Sequence, residues 1–137
     1  MSNTLYTKGR EGFLAGDLDF DANTIKITLV STASYTANTS NDTFYTVIPI
    51  GGRVKESDTN ALSTKTTTSG IADAGDVTLS AVSGIPFHAI VIWQDSGSPS
   101  TSRLIAYIDT GTGLPASPNS GDITVQWAAG TSKIFCL

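Results

Sequence analysis

Two short apolar runs constrain this chain more than any other feature: residues 87–94 (FHAIVIWQ) and 102–109 (SRLIAYID), with the turn-rich DSGSPST between them. Each is rich in β-branched and aromatic residues and is bounded by turn formers. They read as the two strands of a hairpin. Apolar residues occupy successive positions in both runs, so the hairpin needs cover on both faces. No catalytic group can be assigned to it.

The rest of the composition points the same way. Charged residues make up only 15% of the 137 positions, against roughly 25% in an average globular domain. Hydroxyls take their place, with 20 Thr and 16 Ser. Thr favours strands, while Ser and the 13 Gly favour turns. With two Glu and five Lys in the whole chain, an all-helical fold lacks its usual residues. The expectation is one all-β domain, a β-sandwich or barrel of about six to nine short strands over residues 17–137, preceded by a helix or arm over residues 1–16.

Charge and cysteine content narrow the function classes. The formal net charge is −4 and the eight Lys and Arg are scattered, whereas a nucleic-acid binder carries a basic stripe. No apolar stretch approaches the roughly 18 residues of a membrane span, and the N-terminus lacks the apolar segment of a secretory signal. No nucleic-acid or membrane partner is therefore expected. The single cysteine, Cys136, rules out an intrachain disulfide. Burial statistics favour a buried or half-buried thiol in a reducing cytoplasm.

Taken in order, the chain first offers a short helix capped by Asn3 or Thr4, with Leu5, Gly9 and Phe13 on one face and Gly16 as its stop. Residues 17–20 alternate as a strand, with Leu18 and Phe20 on one face. Residues 24–30 (TIKITLV) are the clearest single strand. Residues 31–42 read as a loop. Asn41 or Asp42 then caps one helical turn through Phe44, Tyr45 and Ile48, stopped by Pro49 and Gly51-Gly52. Residues 53–55 and 61–68 look like exposed strands joined by a turn at 57–60. Residues 76–82 alternate, with Val77, Leu79 and Ala81 inward. Beyond the hairpin, residues 110–120 (TGTGLPASPNS) form the only long glycine- and proline-rich loop. Ile123, Val125 and Trp127 then alternate inward, and residues 133–136 make a last strand.

Each hint of chemistry has a simpler explanation. Asp17, Asp19 and Asp21 are spaced like the start of a calcium loop, but Ala22 stands where that loop needs Gly and Thr28 where it needs a bidentate Glu. A strand with a solvated acidic face is the better account. His88 is the only histidine, and neither Ser83 nor Cys136 lies in a nucleophile motif beside it. Zinc would require more His and Cys ligands than exist here. Asp73, Asp76 and Asp109 suit turn capping better than the paired carboxylates of a glycosidase. Gly111 to Gly113 lacks the spacing of a phosphate loop. Trp93, Tyr107, Trp127 and Phe135 suggest a sugar-stacking platform, with aromatic core as the default. No catalytic residue, metal or cofactor is expected.

Several segments resemble a family of small virion proteins of tailed bacteriophages, usually encoded among the structural genes. They are LYTKGREGFLAGDLDFDANTIKITLV (5–30), FYTVIPIGGRV (44–54), SRLIAYIDTGTGLPASPNSGDITVQW (102–127) and KIFCL (133–137). The most distinctive parts are Lys8-Gly9-Arg10, the Ile48-Pro49 turn, and the run from Leu104 to Asp109 with its Gly113-Leu114-Pro115 loop. Cys136 departs from the family pattern, in which a charged residue tends to occupy that position. The resemblance implies a non-enzymatic structural component of the particle, assembled in the bacterial host cytoplasm. Within that class it implies a capsid decoration (cement) protein, often trimeric, whose partners are the major capsid protein and copies of itself. Two contact regions are expected. One is the N-terminal segment, through Leu5, Tyr6, Arg10 and Phe13; the other is the long loop, through Leu114 and Pro115. Deleting residues 2–13 is expected to abolish decoration and leave the rest folded. The rival readings are a tail or head–tail connector subunit and a carbohydrate-binding module using Trp93 or Trp127.

Overall fold

The computed structural model describes residues 3–56, 61–130 and 133–137. In chain order its elements are β1 (Thr4–Leu5), α1 (Thr7–Ala15), β2 (Ile25–Val30), β3 (Arg53–Glu56), β4 (Ile71–Ala72), β5 (Val77–Leu79), β6 (Ala89–Gln94), β7 (Leu104–Ile108), β8 (Ile123–Val125) and β9 (Phe135–Cys136). Short 3₁₀ turns at Tyr45–Val47 and Ile50–Gly52 precede β3. A five-stranded antiparallel sheet in the order β1-β7-β6-β2-β3 forms the centre. The β4–β9 and β5–β8 pairs are separate two-stranded sheets. The architecture is all-β with one N-terminal helix. The central sheet is open, which makes it sandwich-like.

The expected hairpin is the middle of that sheet. β6 pairs with β7 through Ile90–Ile108, Val91–Tyr107 and Ile92–Ala106, and with β2 from Ala89–Val30 to Gln94–Ile25. Alternation then assigns side chains to two faces. On one face Ile25, Ile27, Leu29, Ile90, Ile92 and Ala106 meet Ala72, Val77, Leu79, Val125 and Phe135 of the small sheets. On the other, Val30, Val91, Trp93, Leu104 and Tyr107 meet Tyr6, Tyr35, Tyr45 and Ile48. The loop between β2 and β3 forms that second cover.

The helix begins later than its sequence suggests. Leu5 belongs to β1, and Tyr6 caps α1 without a side-chain hydrogen bond. Asn3 serves elsewhere: its Oδ1 accepts the N–H groups of Asp109 (3.0 Å) and Thr110 (2.9 Å). The end is as expected, with Gly16 at φ 82° and its N–H bonded to Phe13 O. Gly9 has a packing role. A Cβ there would lie 2.6 Å from Leu104 O, so glycine is what lets α1 rest on the backbone of β7.

Four other expectations need correction. Residues 17–20 form no strand, because the Asp19 carboxylate accepts the N–H groups of Asp21 and Ala22 (both 3.0 Å) and bends the chain. Leu18 and Phe20 are still buried. Residues 61–68 form no strand either: Thr66 makes an isolated bridge to Asp73, and Thr64 has φ 48°. The turn expected at 57–60 lies outside the described residues. Ala81 points outward at φ 51°, and Val82 fills the core in its place. Cys136 is exposed. β9 pairs only with β4, and Phe135 takes its inward position, which leaves Cys136 facing out.

Candidate functional site

The N-terminal segment is part of the sheet, not a detached arm. Tyr6 is fully buried, its N–H bonds to Ile105 O, and its hydroxyl lies 2.8 Å from that of Tyr35. Leu5 and Phe13 are half-buried against the core, Phe13 with its ring centroid 6.0 Å from that of Phe135. Arg10 is exposed on α1. Leu14, which was not singled out in the sequence, is 90% exposed on the same helix. Arg103 fastens the helix from below by donating to Lys8 O at 2.8 Å.

The long loop is tied down as well. Its Ala116 makes a two-way backbone bridge with Phe87 (2.9 and 3.0 Å), and Ser120 N–H bonds to Val82 O. Leu114 packs against the core, while Pro115, joined to it by a cis peptide, is exposed. Of the six expected contact residues, Arg10 and Pro115 therefore present the most side chain to solvent. The two regions flank the β1–β7 edge and meet at Asn3, whose Nδ2 donates to Thr110 O at 3.1 Å.

Between this loop, β8 and the hairpin lies a groove of about 810 Å³. Its floor includes Phe87, Ile90, Ile108 and Ile123, and Trp127 forms part of its wall. The Trp127 indole N–H donates to Gly75 O at 3.0 Å and its backbone N–H to Asp76 at 3.1 Å. A second, smaller hollow of about 330 Å³ is lined by Phe13, Leu18, Phe20, Phe135 and Leu137.

The polar residues weighed from the sequence have structural roles. His88 Nδ1 accepts the Thr32 N–H at 3.2 Å beside β6. Asp73 pairs with Lys133 at 2.9 Å, and that hydrogen bond holds its carboxyl below the usual range. Asp95 is also lowered, first by the N–H of Gly97 and then by Lys26. Among the described residues, no three His, Cys, Asp or Glu side chains converge to hold a metal ion. No helix among them is long and apolar enough to cross a membrane. Trp93 and Tyr107 are buried and Phe135 lines the smaller hollow, so of the proposed sugar platform Trp127 is the one that reaches the larger groove.

The sequence did not reveal two hydrogen-bond relays on the aromatic face. In one, Trp93 Nε1–H donates to Thr28 Oγ1 (2.9 Å), that hydroxyl to Tyr45 (2.8 Å), and Tyr45 to the Glu56 carboxylate (2.7 Å). In the other, Tyr6 donates to Tyr35 (2.8 Å) and Tyr35 to Asp42 (2.8 Å). Burial pushes the phenols of Tyr6, Tyr35 and Tyr45 well above their usual range. Tyr45 also stacks on Trp93 with ring centroids 4.0 Å apart. No protein-family model matches the chain, and a search of curated proteins returns no match.

Proposed function

We propose that this chain is a non-enzymatic structural protein of a tailed-phage virion that binds the outer surface of the capsid and stabilises it. The observation that carries this reading is the resemblance across residues 5–30, 44–54, 102–127 and 133–137, taken with where those segments lie. They contribute to β1, β7, β2 and β3, four of the five strands of the central sheet, and they include all of α1. The likeness thus follows the frame of the fold and not only its loops.

The exterior suits assembly. Its low charge and many hydroxyls let copies pack with little repulsion. Leu14 on α1 and Ile50 on the second 3₁₀ turn are 90% and 82% exposed, apolar side chains that a contact would cover. A homotrimer would give the closed symmetry usual for soluble homo-oligomers, and many weak contacts repeated over a shell would act by multivalency. Deleting residues 2–13 is a poor test, because it would remove buried Tyr6 and uncover β7. Surface changes are cleaner. Purified protein should co-sediment with capsids stripped of it, and Arg10→Glu combined with Leu14→Asp should abolish that binding without lowering the melting temperature. Full binding by the double variant would remove α1 from the contact. An antibody label confined to the neck or tail of the particle would favour a connector subunit instead.

A further inference from the structure

We propose that the groove between the 110–120 loop, β8 and Trp127 is a binding site for a neutral oligosaccharide. The argument is one of chemistry and charge, and it holds independently of the virion reading. The volume of about 810 Å³ lies in the range of small-molecule sites, roughly 300–1,000 Å³. Among the described residues, two charged side chains line it, Asp122 and Lys133. Each is already engaged, Asp122 by the Ala81 N–H at 3.1 Å and Lys133 by Asp73 at 2.9 Å. The lining is thus mostly uncharged, which suits a neutral ligand better than a phosphate.

What the groove does offer is the two-part surface that a sugar presents in mirror form. Trp127 is held at both its indole and its backbone N–H, so it contributes ring carbon to the wall and not a donor. An aromatic face fixed in this way suits the C–H face of a pyranose. The Thr124 hydroxyl is bonded to that of Thr78 at 3.0 Å, whereas Thr110, Thr112 and Ser117 of the loop bring hydroxyl groups to the same groove. These are the partners that sugar hydroxyls need once water is displaced. An extended peptide would instead use the backbone edge of β8, which among the described residues pairs with β5 alone.

The test uses the full chain and a panel of neutral trisaccharides: maltotriose, cellotriose, mannotriose and triacetylchitotriose. Titration calorimetry on the unaltered protein should show saturable binding of at least one of them. Trp127→Ala should weaken it by roughly tenfold or more, the scale expected when a stacked anchor is truncated. Trp127→Tyr, which keeps an aromatic face, should retain most of it. Gln126→Ala on the exposed rim should weaken it less and leave the fold intact, which guards against an unstable Trp127 variant. No saturable binding at 10 mM of any panel member, at about the weak limit of sugar recognition, would overturn the proposal. So would sugar binding unchanged in a folded Trp127→Ala protein, or binding of an extended peptide in place of every sugar.

Discussion

The two faces of the central sheet are made by the same strands but held by different forces. One is apolar and largely aliphatic: Ile25, Ile27, Leu29, Ile90 and Ile92 press against two small sheets. The other is aromatic and hydroxylated, covered by a loop with short 3₁₀ turns, and stitched by relays ending on Glu56 and Asp42. Dispersion and the hydrophobic effect are non-directional, so the first face tolerates any cover of the right volume. Hydrogen bonds are directional, so the second can hold an irregular loop in one conformation. An irregular cover needs named partners; a regular one needs only a matching surface.

Substitutions can break this comparison. Ile92→Ala, in the centre of the aliphatic face, should have the largest effect, about 2–5 kcal/mol, by leaving a cavity. Urea unfolding should show that loss as a lower midpoint with an unchanged slope. Tyr45→Phe keeps the stacked ring but removes the acceptor of the Thr28 hydroxyl, which still accepts from Trp93, and the donor to Glu56, and should cost about 1–3 kcal/mol. Its mark should be local, with faster amide exchange in the loop before β3 than in β6. Equal exchange throughout would mean the relay does not hold the loop.

Alkali offers a way to attack one face alone. Tyr6, Tyr35, Tyr45 and Tyr107 all have phenol pKa values raised by burial above the ordinary 10.0. Stability from them is fully present below pH 10 and is lost as the pH rises toward their folded values, because the unfolded chain ionises first. Tyr35→Phe should make the alkaline unfolding limb shallower, while Ile92→Ala should lower stability by a similar amount at every pH. The smallest effect belongs to acid. The lowered Asp95 carboxyl contributes stability above its ordinary value of 3.8, lost as the pH falls through its folded value. Asp95→Asn should flatten that acid limb slightly, as measured by thermal melts between pH 2 and 5.

What could be read from the sequence follows the same division. The strands of the aliphatic face announce themselves through uninterrupted or alternating apolar runs, as in residues 24–30, 76–79 and 87–94. The covering loop does not. Nothing local in residues 31–56 marks Thr28, Tyr45 and Glu56 as one chain of hydrogen bonds, since their meeting depends on tertiary packing. The failures are local too. Alternating Leu18 and Phe20 suggested a strand, but a single carboxylate at Asp19 turned the backbone. The Thr-rich stretch 61–68 has the propensity of a strand but lacks a partner beyond one bridge. The groove depends on Ala116 meeting Phe87, a contact across 29 positions that no motif encodes.

Binding to the capsid surface is the proposed role of this frame. Electron microscopy of the intact particle, with the chain located by its density, tests it most directly. Copies of the chain are expected across the outer shell, with α1 and the 110–120 loop turned toward neighbouring subunits. Density for the chain only in the tail or neck, or nowhere in the particle, would contradict it.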